Sequence, residues 1–192
     1  MRITDILAQN NRLYRDKTAL VERIPAQSAR KELTWHQFYT MSCQLANALN
    51  RHGIQKSDTV VQLMTNSLEW LPIYFGILYA GAWAVPLNFR FESDKILLCA
   101  QTAEPRVFIF GPEFITRLDT IRQELTGCVS VWIFTGPEKD CPEWAVSLDT
   151  FIAGQNGDHP PEIDAGPDDD AALYFTSGTT GTPKAVLITH QN

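Results

Sequence analysis

The sequence has no cluster of lysine and arginine: 16 basic residues are scattered among 22 acidic ones, for a formal charge of −6. Gripping a nucleic-acid backbone takes such clusters, so the composition predicts no nucleic-acid partner, although a nucleotide needs only a local anion site. Cysteine is sparse. Cys43, Cys99, Cys128 and Cys141 lie far apart and form no CxxC pair. With Cys43 and Cys99 inside apolar helical stretches, buried reduced thiols are expected rather than disulfides or a zinc site. The opening "MRITDILAQNNRLYRDK" lacks the apolar core of a signal peptide. Together with reduced thiols, this gives an expectation of a cytoplasmic protein. There is no internal repeat, no low-complexity array and no GxGxxG fingerprint.

Long runs that are both uncharged and strongly apolar are also scarce, with one exception. Trp70–Phe89, "WLPIYFGILYAGAWAVPLNF", runs 20 residues without a charge, about a bilayer's thickness as a helix. Pro72, Gly76, Gly81 and Pro86 interrupt it. It is read as a buried helix ending near Gly81 followed by a strand, with no membrane span.

What is present is enough for a sizeable core, at 44% hydrophobic and 20% charged residues in 192. "LTWHQFYTMSCQLANALNRHG" predicts a helix. Thr34 and Gln37 have capping-box spacing, Phe38, Met41, Leu45 and Leu49 share a face, and Gly53 suits the exit. A short amphipathic stretch and a strand-like "TALVE" precede it. From there strand and helix alternate: strands at 59–65, 84–87, 106–110 and 129–134, with helices between them. One of these helices is capped at Asn66 with Glu69, and another is continuous over "PEFITRLDTIRQEL". The strands are unbroken apolar runs, as in a sheet covered on both faces. The pattern predicts an α/β fold with a mainly parallel sheet and helices on both faces.

After Phe134 the texture becomes rich in Gly, Pro and acids, which predicts a surface connection over 135–170, with Asp168–Asp170 as a solvated turn. Then "AALYF" and "AVLIT" read as buried strands flanking the polar "TSGTTGTPK", Thr176 to Lys184. As a Walker A loop it fails. Gly178 and Lys184 have the spacing, but Pro183 takes the second glycine's place and Ala185 the place of the magnesium-binding Ser or Thr. A strand also follows it where that motif opens a helix. Two readings remain open on the residues themselves: an ordinary polar hairpin, or a strand–loop–strand phosphate clamp. In the clamp, Gly178 and Gly181 bring backbone N–H groups to an anion, Thr176, Ser177, Thr179 and Thr180 add hydroxyls, Lys184 adds a charge and Pro183 stiffens the exit. No catalytic base is present in the loop.

"DDDAALYFTSGTTGTPKAVLITHQN" strongly resembles the signature region of the adenylate-forming superfamily, which includes acyl-CoA synthetases, peptide-synthetase adenylation domains and luciferases. Its pattern is close to Y-T-S-G-T-T-G-x-P-K-G-V followed by T-H-x-N. The likeness extends upstream through "LTWHQFYTMSCQLANALNRHGIQKSDTV", where Lys56-Ser57-Asp58 stands for K-G-D, and through "LMTNSLEWLPIYFGILYAGAWAVPLNFRF". The resemblance implies that Thr176, Ser177, Gly178, Thr179, Thr180, Gly181, Thr182, Pro183 and Lys184 form the flexible loop holding the β- and γ-phosphates of ATP, ordered only around an anion. It implies ATP with Mg²⁺ and CoA as the co-substrates of a complete enzyme. That enzyme joins a carboxylic acid to a thiol through an acyl-adenylate. Ala185 departs from the family's glycine, and Tyr174 stands one residue before the family's tyrosine, where Phe175 falls.

The resemblance further implies that the chain is the N-terminal portion of a larger domain. It would comprise an α/β part at 1–134, a connection at 135–170 and a phosphate-loop hairpin at 171–192. Thr189 would cap a further helix, and the C-terminal domain and catalytic groups would lie beyond Asn192. The isolated chain is then expected to be inactive and to associate as a homo-oligomer near its last strands. The alternative is a non-catalytic binding module keeping a relic loop. A nucleotide-hydrolysing switch is disfavoured by Pro183 and Ala185.

Overall fold

The computed structural model describes residues 1–24, 29–176 and 183–192. Helix α1 (Ile3–Tyr14) leads into an antiparallel hairpin of β1 (Thr18–Ile24) and β2 (Ala29–Thr34), whose second strand has no strong signal in the sequence. Helix α2 (Trp35–Arg51) opens on the expected capping box: Gln37 N–H donates to Thr34 Oγ1 at 3.1 Å, and Thr34 N–H donates to Gln37 Oε1 at 2.9 Å. Then follow β3 (Thr59–Leu63), α3 (Trp70–Tyr79), β4 (Trp83–Pro86), α4 (Ser93–Ala103), β5 (Val107–Phe110), α5 (Ile115–Asp119) and β6 (Val131–Phe134). The chain closes with β7 (Val146–Ser147), α6 (Leu148–Ile152), β8 (Asp170–Thr176) and β9 (Lys184–Thr189).

Seven strands form one sheet in the order β7-β6-β5-β3-β4-β8-β9, all parallel except β9. Alternate residues of each strand serve opposite layers. Val60, Ala84, Val107, Ile109, Ile133 and Ala172 face α1, α2 and α3, whereas Val61, Leu63, Val85, Phe108, Phe110 and Leu173 face α4 and the segment around α5. This double coverage is why the strand sequences are continuously apolar. The expected α/β class holds, as does the pairing of the four central strands.

The uncharged run divides into α3 and β4 with Gly81 between them at φ +75°, a conformation that favours glycine. No described helix is long and apolar enough to cross a membrane. Cys43 and Cys99 are buried free thiols, and burial pushes them up to about 12 and about 11.

Three local expectations are corrected. Residues 112–125 are not one helix but a 3-10 turn at Pro112–Phe114, the short α5, and a second 3-10 turn at Arg122–Leu125. The Arg117 carbonyl is taken by the hydroxyls of Thr120 at 2.7 Å and Ser93 at 3.0 Å, which competes with helix continuation. Helix α3 is capped at Glu69 rather than Asn66, because Glu113 accepts the Thr65 N–H at 3.0 Å and holds the chain in a turn. The segment 135–170 does more than cross the surface: β7 extends the sheet, and Leu148 and Phe151 of α6 are buried in the core shared with α2.

Candidate phosphate-loop hairpin

Parallel pairing of β8 with β4 through Ala84 and Ala172 sets the carboxyl end of β8 at the same edge as those of β3 to β6. In open α/β sheets this edge is where ligands bind. Leu173, buried, roots β8 in one layer, while Tyr174 meets Tyr74 of α3 on the other, their hydroxyl oxygens 3.1 Å apart. Burial first, and then the Tyr174 partner, holds the Tyr74 phenol well above the usual tyrosine range.

Two residues past Tyr174 the strand reaches Thr176, which pairs with Lys184 as β9 returns antiparallel. Thr176 Oγ1 donates to the Lys184 carbonyl at 3.4 Å. Of the nine expected loop residues, Thr176, Pro183 and Lys184 are described. Both Thr176 and Lys184 are exposed where the hairpin leaves the sheet. Ser177, Gly178, Thr179, Thr180, Gly181 and Thr182 lie outside the described residues, and with them the expectation about loop order. Ala185 pairs with Phe175 just behind Lys184.

The opposite end of β8 is fastened at the amino edge of the sheet. Lys56 Nζ lies 2.8 Å from Asp169 Oδ2 and donates to the Asp164 carbonyl at 2.8 Å. Asp169 also accepts the Gly166 N–H at 2.6 Å, and the His190 N–H donates to its carbonyl at 3.0 Å. The hydrogen bond from Lys56, with the Gly166 N–H, holds the Asp169 carboxyl below its usual range. Sequence reasoning singled out Asp168–Asp170 only as a turn; Lys56, 113 positions earlier, carried no signal of this pairing. Where Thr189 was expected to cap a helix, its N–H and hydroxyl donate to Asn192 Oδ1 at 2.9 and 2.5 Å. Among the described residues no group of three or more His, Cys, Asp or Glu side chains is arranged to hold a metal ion. They therefore supply no cage for the expected magnesium.

β9 corrects a further expectation. Its sequence reads as a buried strand, yet Lys184 to Leu187 are exposed, because β9 ends the sheet and no described helix covers it.

A doubly covered parallel sheet that ends in an antiparallel strand pair is the fold of the N-terminal domain of adenylate-forming enzymes. The chain belongs to the AMP-binding enzyme family, whose pattern matches residues 7–192. It is 32% identical over 162 residues to the long-chain-fatty-acid–CoA ligase FadD13 of Mycobacterium tuberculosis (strain CDC 1551 / Oshkosh), covering 83% of this chain and 30% of that protein. It is also 32% identical over 164 residues to the 3-hydroxybenzoate–CoA/4-hydroxybenzoate–CoA ligase of Thauera aromatica, covering 85% of this chain and 31% of that protein. Its fold superposes on the anthranilate CoA ligase AuaEII, solved with anthranoyl-AMP, at a TM-score of 0.87 and 28% identity, over 99% of this chain and 35% of the other. The chain thus spans about a third of the length of the proteins it matches.

Proposed function

We propose that this chain is the N-terminal, phosphate-gripping portion of an ATP-dependent acid–thiol ligase. In the complete enzyme a carboxylate attacks the α-phosphorus of ATP, the bond to the bridging oxygen breaks, and pyrophosphate leaves. The acyl-adenylate then passes its acyl group to a thiol such as that of CoA, releasing AMP. The observation that carries this reading is the seat of the Thr176–Lys184 hairpin at the carboxyl edge of the sheet, in a chain whose family match runs from residue 7 to residue 192.

Within that reaction the residues of this chain position and neutralise phosphate. Thr176 and Lys184 stand at the two feet of the loop. There the hydroxyl can donate to a phosphate oxygen, and the ammonium can offset charge growing on the leaving pyrophosphate. Magnesium, when bound with ATP, would supply further charge neutralisation. The relatives' names span fatty and aromatic acids, so the acid is proposed only as a carboxylate.

Calorimetric titration of the 192-residue chain with ATP tests the grip apart from the chemistry. We expect affinity weaker than about 1 mM, or roughly 4 kcal/mol, because phosphate contacts must recover solvation as well as the cost of ordering the loop. Lys184→Met is expected to abolish even that. In the full-length parent the same substitution should slow adenylation and leave the fold intact. Micromolar ATP binding unaffected by Lys184→Met would remove the hairpin from the account.

A further inference from the structure

β8 parts from the body of the sheet just before the residues expected to grip phosphate. It pairs with β4 at one position, Ala84 with Ala172. Two residues on, that register sets Pro86 opposite Tyr174, and β4 ends there. A proline has no N–H to extend a ladder, so backbone bonding from β4 does not carry on toward Thr176. A side-chain bond stands in its place. The Tyr174 hydroxyl oxygen lies 3.1 Å from that of Tyr74, and among the described residues this is the one side-chain hydrogen bond joining 173–187 to the rest of the chain.

Tyr74 is a firm post. It is 8% exposed, and its ring stacks on Trp70 of the same helix with centroids 5.5 Å apart and planes 12° apart. Tyr174 and Thr176 are two apart on β8 and so share a face. Lys184, directly opposite Thr176, shares it too. The face that Tyr74 fastens is therefore the one that carries the threonine hydroxyl and the lysine ammonium. We propose, resting on the ligase reading above, that Tyr74 and Tyr174 are positioning residues for phosphate. Their hydroxyl pair fixes the rotation of β8 about its own axis, and with it the direction in which Thr176 and Lys184 present their donors. The tyrosines act through these two feet rather than on the nucleotide, and a small misdirection of the feet is enough to weaken the grip. The pair sets orientation more than stability, because removing both hydroxyls together leaves no buried donor without its partner.

Acid-dependent exchange of pyrophosphate into ATP by the full-length parent reads this role, with ATP varied and the acid drawn from a fatty and aromatic panel. Tyr74→Phe, Tyr174→Phe and the double variant should each raise the KM for ATP about three- to tenfold, the worth of one hydrogen bond. The KM for the acid should stay unchanged. The double variant should be no worse than either single one, since the two hydroxyls work as a unit. A role in stability alone would reduce the active enzyme, and so kcat, while moving neither KM; thermal melts of the three variants give the folded fraction in each assay. An unchanged KM for ATP, or single effects that add in the double variant, overturns the proposal. Lys184→Met separates it from the reading beneath it. If that substitution impairs exchange while the tyrosine variants do not, the positioning role falls and the phosphate grip stands. If Lys184→Met leaves exchange untouched, both fall.

Discussion

The centre of the sheet and its last hairpin are built from similar residues and end in opposite situations. "TVVQL" and "VFIF" lie in β3 and β5, buried at every position between two helical layers. "KAVLIT" in β9 is as apolar, but four of its six residues are exposed. Apolarity records what a strand could bury; only the neighbours decide what it does bury. The central strands therefore bury their apolar surface fully, whereas β9 leaves most of its own exposed.

The largest effect that could break this contrast is a cavity in the centre. Phe108 is fully buried and stacks on Trp132 with centroids 4.9 Å apart. Phe108→Ala should destabilise by about 3–5 kcal/mol, whereas Leu187→Ala should change stability by less than about 0.5 kcal/mol. Urea unfolding of the two variants gives both numbers, and comparable losses would put β9 in the core. Next comes the α2–α3 contact. A Cβ built at Gly76 would lie 2.9 Å from Leu45 Cβ and 3.0 Å from the Ser42 carbonyl oxygen. Gly76→Val should therefore cost about 1–3 kcal/mol in the same assay.

Two smaller effects sharpen the picture at the hairpin's root. Ser57 has φ +71°, where a side chain is strained, and the family resemblance places glycine there. Ser57→Gly should stabilise by roughly 0.5–1 kcal/mol in thermal unfolding; a loss would mean that the serine hydroxyl supports the turn. Its neighbour Lys56 holds Asp169, whose carboxyl is lowered when folded. A lowered acid contributes stability that is present above its unfolded value near 4 and lost as pH falls through the folded one. Asp169→Asn should remove this part of the acid dependence below about pH 4 and leave the curve at pH 7–8 parallel to wild type. His190, pushed down chiefly by burial, acts in the same direction from about pH 6.5 downwards in both proteins.

The central fold was legible because its signals are local and repeated: unbroken apolar runs at 59–65 and 106–110, and Thr34 three residues before Gln37. What escaped depended on distant partners. The cap at Glu69 follows from Glu113, 48 positions away from Thr65. The interruption after Asp119 follows from Ser93 and Thr120 competing for one carbonyl, and the exposure of β9 follows from the sheet order. The strand pair around the loop was legible at 171–175 and 185–189, and Thr176 pairs with Lys184 at its open end. Its anchors, Tyr74 under Tyr174 and Lys56 under Asp169, join segments 100 and 113 positions apart, and no pattern in the chain announces them.

Holding phosphate and performing the reaction are separate tasks, and acid-dependent exchange of pyrophosphate into ATP measures the second directly. With a panel of fatty and aromatic acids, the 192-residue chain should show no exchange above background, while the full-length parent exchanges with at least one acid and loses rate on Lys184→Met. Exchange catalysed by residues 1–192 alone would contradict the account, because the groups that align the acid with the α-phosphorus would then have to lie within this chain.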